Sequence, residues 1–285
     1  MTNLTLRGQT FYWGKRTYLM GILNVTPDSF SDGGEFNTLE TAVIQAKKLV
    51  AAGANIIDIG GQSTRPGAVQ ISLAEEGDRV IPIIKALRSQ IAIPISIDTT
   101  RASVAQAAIE AGADLVNDIS AGSFDEQMFS VVAQGEVPII LMHLRGTPQT
   151  MQQLTQYEDL IGEIYQFLDT QIKQAISAGI ARSCLIIDPG IGFAKTYQQN
   201  LELLRRLSEF RSLGVPILVG PSRKSFIGSI LNQPDSKLRV WGTAAACCAA
   251  IAEGADILRV HDVGAMSDVC RVADAIWRME TGEQN

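Results

Sequence analysis

Apolar and polar positions along the chain alternate between two recurring segments: a helical stretch ending in Ala-Gly or Glu-Gly, and a short apolar run ending in a polar residue. The pattern is plain in AAGANIIDIGG, EAGADLVNDIS and AEGADILRVHD, and looser in SAGIARSCLIIDPG. Gly53, Gly112, Gly179 and Gly254 fall where a helix C-terminus needs a left-handed residue. Further apolar runs follow Pro94, Pro138 and Pro216. Counting from Tyr18, about eight strands are predicted, ending near Asn24, Gly60, Asp98, Asp118, Met142, Asp188, Gly220 and Val260. Helical periodicity separates them over 39–52, 73–88, 102–111, 125–134, 157–178, 200–213, 236–253 and 263–279.

Strand-helix units repeated in this way match a (β/α)8 barrel better than a doubly wound sheet. The open sheet would predict a glycine-rich fingerprint opening the first helix, and no G-x-G-x-x-G stands there. Residues 4–6 and 11–12 flank Arg7-Gly8-Gln9-Thr10 and read as a short hairpin able to close the bottom of the barrel. The expected organisation is one domain, with the hairpin in 1–17, the barrel in 18–280 and a tail in 281–285.

With 285 residues, 46% hydrophobic and 19% charged, the chain can bury one large core. Its net charge of -6 argues against a nucleic-acid or anionic-membrane partner, while leaving room for a small anionic substrate where basic residues gather. The first residues, MTNLTLRGQTFYWGKR, do not read as a signal or transit segment, and the small-residue run 243–252 is too short to span a bilayer. Cys184, Cys247, Cys248 and Cys270 lack metal-ligand spacing and read as reduced core residues. A cytoplasmic enzyme or binding protein is expected.

In such barrels the chemistry sits at the C-terminal strand ends. Here those ends carry Asn24, Asp58 with Gly60-Gly61, Asp98, Asn117-Asp118, Met142-His143 and Asp188. The last two strands bring cations, in GPSRKS (220–225) and Arg259-Val260-His261. Lys224, Ser225, Arg259 and His261 would converge as a phosphate or diphosphate site. Opposite them, Asp98, Asn117 and Asp188 suit a flat ring bearing N–H groups. The implied ligand is a nitrogen heterocycle carrying a phosphate ester.

Taken singly, these residues have plainer readings. Asp58 or Asp118 alone reads equally well as a helix N-cap, Lys224 or Arg223 as a solvated cation, and His143 as packing behind the mouth. Two connections, 27–38 and 61–72, exceed what a barrel needs. Phe30-Ser31-Asp32 and Thr64-Arg65-Pro66 give them an aromatic, a cation and hydrogen-bonding groups, as lids over a substrate require.

Seven motifs in order, GILNVTPDSFSDGG, GGQSTRPGA, SIDTTR, VNDIS, IIDPGIGFAKT, GPSRKSFIG and RVHDV, make the chain resemble the dihydropteroate synthase family targeted by sulfonamides. The resemblance implies condensation of 4-aminobenzoate with 6-hydroxymethyl-7,8-dihydropterin diphosphate, giving 7,8-dihydropteroate and diphosphate. It places pterin contacts on Asp98, Asn117, Asp188 and Lys224, with Met142 and Phe193 as walls. Diphosphate contacts fall on Asn24, Arg259 and His261, and Asn24 also matches a Mg2+ ligand. Phe30, Asp32, Thr64, Arg65 and Pro66, with Ser225 behind them, match the aminobenzoate site that covers the reacting carbon. The cationic cluster of Arg259, His261 and Lys224 would stabilise the leaving group, with Asp32, Thr64 and Arg65 completing the catalytic set. The family also implies a homodimer. Gln62, where many relatives carry Glu, and Pro221 depart from the pattern and bear on the loops. A pterin-dependent methyltransferase is the runner-up, though it needs neither the SRKS cluster nor the STRP loop. A pterin-binding relative without activity is expected to lack these loop residues.

Overall fold

The computed structural model describes residues 1–25, 35–65 and 67–278, with only the backbone for 35–38. A hairpin of β1 (Leu4–Leu6) and β2 (Gln9–Phe11) comes first. It is followed by β3 (Tyr18–Asn24), α1 (Glu35–Ala51), β4 (Ile56–Gly60), α2 (Leu73–Arg88), β5 (Ile95–Asp98), α3 (Ala102–Ala111), β6 (Leu115–Asp118) and α4 (Met128–Gly135). Then come β7 (Ile139–Met142), α5 (Leu160–Ser177), β8 (Leu185–Asp188), α6 (Tyr197–Arg205), β9 (Leu218–Val219), α7 (Ser225–Leu231), α8 (Val240–Ala252), β10 (Ile257–Val260) and α9 (Val263–Trp277).

Strands β3 to β10 form one eight-stranded parallel sheet in the order β8-β7-β6-β5-β4-β3-β10-β9. A parallel bridge between Ile187 and Ile217 joins the two ends, so the sheet closes into the (β/α)8 barrel that the sequence predicts. Gly53, Gly112, Gly179 and Gly254 all have positive φ, where the helices stop and the chain turns into the next strand. Among the described residues no helix is long and apolar enough to cross a membrane.

The helices differ from the periodicity in three places. The stretch 200–213 is not one helix but α6 followed by a 3-10 segment, Leu207–Leu213. The stretch 236–253 begins as a 3-10 turn, Ser236–Leu238, before α8. The seven-residue α7 has no counterpart in the expected set, because it is shorter than the window in which a 3.6-residue period can be recognised.

Strand side chains alternate between two environments. One set, including Leu19, Ile57, Ile97, Val116, Leu141, Ile187 and Leu258, packs outward against the helices. The other, Met20, Ile56, Leu115, Ile140, Ile186, Leu218 and Ile257, fills the barrel interior. The hairpin seals this inner layer: Phe11 lies 4.7 Å from Tyr18 and 5.6 Å from Trp13 between ring centroids, and the Tyr12 N–H donates to the Tyr18 hydroxyl. Two residues further along five of these strands stand Asp58, Asn117, Met142, Asp188 and Arg259, and on β5 Asp98 follows buried Ser96 by the same step. Period-two alternation that gives a hydrocarbon floor therefore gives a polar mouth above it.

Candidate active site

Arg259 organises the mouth. Its Nε donates to Asp58 Oδ2 at 2.6 Å and its Nη2 to Asp98 Oδ2 at 2.7 Å, while Asn117 Nδ2 donates to the same Asp58 oxygen at 3.2 Å. Burial disfavours the guanidinium charge, but Asp58 and Asp98 outweigh it and hold the pKa of Arg259 above its ordinary value. The Asp98 carboxyl is pushed up to about 7 by burial, against the pull of Arg259 and with Asp58, Glu76 and Asp118 adding to the rise.

Asp58 is fully buried, and its Oδ1 has no hydrogen-bond partner among the described residues. The N-cap reading of Asp58 is thus corrected: it lies inside β4 and anchors Arg259. A carboxylate at mid-strand, in step with Ile56 and Gly60, is the sequence signal that points inward. Asp118 instead organises its own turn, accepting from the Ser120 N–H, the Ser120 hydroxyl and the Gly122 N–H.

Asp188 ends β8 beside Met142, its register partner on β7. Gly190 N–H donates to its Oδ1 at 2.7 Å, which is its only side-chain hydrogen bond among the described residues. Burial lifts its carboxyl to about 6, against that hydrogen bond and against Lys224, Lys195 and Arg259. Lys224 Nζ sits 4.1 Å from the centre of the Phe193 ring, a cation–π contact of about 1 kcal/mol or more when desolvated. Burial lowers its ammonium to about 8, with Asp188 pulling the other way. Gly192 has φ +84°, and a Cβ there would stand 2.9 Å from Lys224 Cδ, so only glycine lets the loop lie against that lysine. Met142 and Phe193 share a small apolar cluster with Ile119, Leu144, Met151 and Ala194, a flat wall beside the acids.

Asn24 ends β3 in register with Gly60, its Oδ1 3.8 Å from the place a Gly60 Cβ would take. His261 Nδ1 lies 3.0 Å from the Ser222 hydroxyl, and its backbone N–H donates to the same oxygen at 3.2 Å. Burial, with Arg223 and Arg259 nearby, lowers the imidazole to about 3. His261 on its own is therefore a neutral imidazole at pH 7 rather than a standing cation. Arg223 is not a solvated cation either, since it grips both oxygens of Asp262 at 3.0 and 2.5 Å. Ser225 opens α7 and is exposed. The expected separation of acids from cations does not hold: Lys224 rests on Phe193 of the β8 loop beside Asp188, and Arg259 reaches past β3 to the acids of β4 and β5.

The 61–72 connection is tied down at several points. Gln62 Oε1 accepts from Ile71 N–H at 3.3 Å, Arg79 donates to Gly61 O at 2.8 Å, and Gly67 N–H donates to Pro148 O at 3.0 Å. Buried Glu76 accepts from Thr99 at 2.6 Å and lies 2.9 Å from Arg101 Nη1, an ion-pair contact angled away from a hydrogen bond. Arg101 in turn donates to Ile71 O. Thr64 lines a cavity of about 330 Å³ with Asp98, Thr99, Ile119 and Thr147, while the Arg65 side chain is exposed. Phe30, Asp32 and Pro66 lie outside the described residues.

Known proteins resemble this chain along most of its length. The sequence profile of the pterin binding enzymes matches residues 20–261. The dihydropteroate synthase of Synechocystis is 65% identical over 95% of this chain and 94% of its own. A Clostridium difficile dihydropteroate synthase, solved in the presence of pteroic acid, superposes with a TM-score of 0.90 at 46% identity, covering 94% of this chain and all of that one. The Xanthomonas albilineans enzyme, solved with 4-aminobenzoic acid, gives 0.90 at 42% identity, covering 98% and 99%. This chain belongs to the pterin-binding enzyme family, and within it to the dihydropteroate synthases.

Proposed function

We propose that the chain condenses 4-aminobenzoate with 6-hydroxymethyl-7,8-dihydropterin diphosphate, forming 7,8-dihydropteroate and releasing diphosphate. The observation that carries this reading is Asp188: a buried carboxylate, bonded on one oxygen to Gly190 N–H, beside Lys224 and an apolar wall. A pterin presents a guanidine-like edge, and two parallel N–H donors match a carboxylate. Asn117 and Lys224 complete the ring contacts, with Met142 and Phe193 packing its faces. Asp98, held by Arg259 on one oxygen, can accept from the ring with the other.

The reaction breaks a C–O bond to diphosphate and forms a C–N bond to the amine. Positive charge develops on the pterin methylene and negative charge on the leaving group, so a dissociative displacement suits this mouth. Asp98 and Asp188 favour the first charge. Arg259, already fixed by Asp58 and Asp98, and Lys224 favour the second, with His261 acting as a neutral hydrogen-bond donor. Thr64 and Arg65 would close over 4-aminobenzoate together with Phe30, Asp32 and Pro66, with Ser225 behind them.

Mg2+ belongs to the same proposal. Among the described residues no cluster of three or more His, Cys, Asp or Glu side chains could hold a metal, and Asn24 offers one amide oxygen. That donor set fits an ion that arrives on diphosphate and keeps several waters, with Asn24 as its protein ligand. When bound, it would neutralise leaving-group charge. A homodimer is also proposed. Trp241 on α8, with Val272, Ile276 and Trp277 on α9, exposes large apolar surface on two helices packed together.

The test is mass spectrometry of the purified protein with both substrates and Mg2+. Dihydropteroate and diphosphate should form together, and neither should form when one substrate is omitted. No dihydropteroate in the complete mixture would sink the reading.

A further inference from the structure

Behind the pterin-facing side of the β8 loop lies a charged group for which the proposed reaction has no use. Lys195 is 3% exposed, yet it has no ion pair among the described residues. Its Nζ lies 3.1 Å from His143 Nδ1 and donates to Phe193 O at 2.9 Å. His143 is itself buried, pushed down to about 2 mainly by that burial, and so offers a neutral ring nitrogen to the ammonium.

The loop is folded around this lysine. Gly190 has φ +77°, and a Cβ there would stand 3.4 Å from Lys195 Nζ and 2.1 Å from His143 O. The Gly190 N–H is the group that orients Asp188, and His143 N–H donates to Asp188 O at 2.9 Å. Phe193, whose carbonyl accepts the hydrogen bond from Lys195, also seats Lys224 on its ring. One buried ammonium thus sits beneath both the carboxylate and the cation that would meet the pterin.

We propose that Lys195 is a positioning residue for pterin recognition: its charge favours ionised Asp188, and its bond to Phe193 O fixes the ring on which Lys224 rests. This rests on the pterin-binding reading above. The groups facing Lys195 are His143 and Arg145 beyond β7, Tyr157, whose hydroxyl donates to Ala194 O, Asp188 on β8, and Lys224 ahead of α7. Burial lowers Lys195 to about 7, with Asp188 opposing, so it is charged at pH 6, where Asp188 is in mid-titration.

The experiment is calorimetric titration of 6-hydroxymethylpterin into wild-type protein, Lys195→Gln and Lys195→Met between pH 5.5 and 8.5. Lys195→Gln keeps a donor for Phe193 O but loses the charge, so the Asp188 midpoint should rise by about one unit. The expected loss of affinity is about fivefold at pH 6, vanishing by pH 8.5, where Asp188 is ionised in both proteins. Lys195→Met, which also loses the tether, should add a loss independent of pH. Equal losses at every pH for Lys195→Gln, or no loss, would overturn the proposal while leaving the pterin reading intact. Absence of pterin binding by the wild type would instead overturn that reading itself. Should the Lys195 variants not fold, 13C NMR of ε-labelled lysine in Asp188→Asn gives the reciprocal measurement. The Lys195 midpoint should fall by about one unit, and an unmoved midpoint contradicts the coupling.

Discussion

Arg259 on β10 donates to Asp58 on β4 at 2.6 Å, linking residues 201 positions apart and reaching past β3 inside the barrel. With Asp98 on the other side, the guanidinium is held before any anion arrives. Pre-set charge of this kind loses little reorganisation energy when a leaving group develops.

Asp58→Asn should therefore damage more than a surface ion pair would. It leaves a buried guanidinium with one carboxylate, and breaking such a pair costs about 3 kcal/mol. Urea unfolding should show a lowered midpoint, and turnover should fall while 4-aminobenzoate saturation changes little. Unchanged stability would mean that Asp98 alone suffices to hold Arg259.

His143 gives a pH-dependent stability of known sign. Its folded value, about 2, lies below its unfolded value, so its contribution is fully present above pH 6.5 and is lost as pH falls below it. In His143→Gln, the slope of unfolding free energy against pH between 6 and 5 should drop by about 1.4 kcal/mol per unit, the value for one proton. Identical slopes would show that His143 protonates freely in the folded state.

Arg101 joins α2 to the long loop through Glu76 and Ile71 O. Arg101→Ala should free that loop without touching Asp188. The expected result is a KM for 4-aminobenzoate raised about tenfold, as for a lost charge-assisted hydrogen bond, with pterin affinity nearly unchanged. A matching loss for both substrates would mean that the network supports the whole mouth.

The barrel was legible because its two periods, near two and near 3.6, persist through most of the units, and because glycines mark the helix ends. The strand ends were legible for the same reason: once a strand is placed, its last inward residue follows. What escaped were relations between side chains. Glu76 and Lys195 look like ordinary polar residues on a helix and a loop, and nothing local shows that Thr99 or His143 will cover them. The charge of His261 could not be read from its type, since burial beside Arg223 and Arg259 decides it. Arg259 crossed the expected divide because its long side chain reaches the acids of β4 and β5. Asp58 alone left a usable trace, a carboxylate inside an apolar strand.

The central claim is that the end of β8 reads the pterin ring, and two carboxylates separate it from a general need for buried acid. Asp188 and Asp118 are both raised to about 6 by burial, but Asp118 is consumed by its own turn whereas Asp188 has one protein hydrogen bond among the described residues. The deciding measurement is calorimetric binding of 6-hydroxymethylpterin at pH 8 to Asp188→Asn and Asp118→Asn. Asp188→Asn should lose about 100-fold, as expected for a charge-assisted bidentate pair, and Asp118→Asn should stay within about threefold of wild type. Wild-type affinity in Asp188→Asn, or an equal loss in both, would contradict the account.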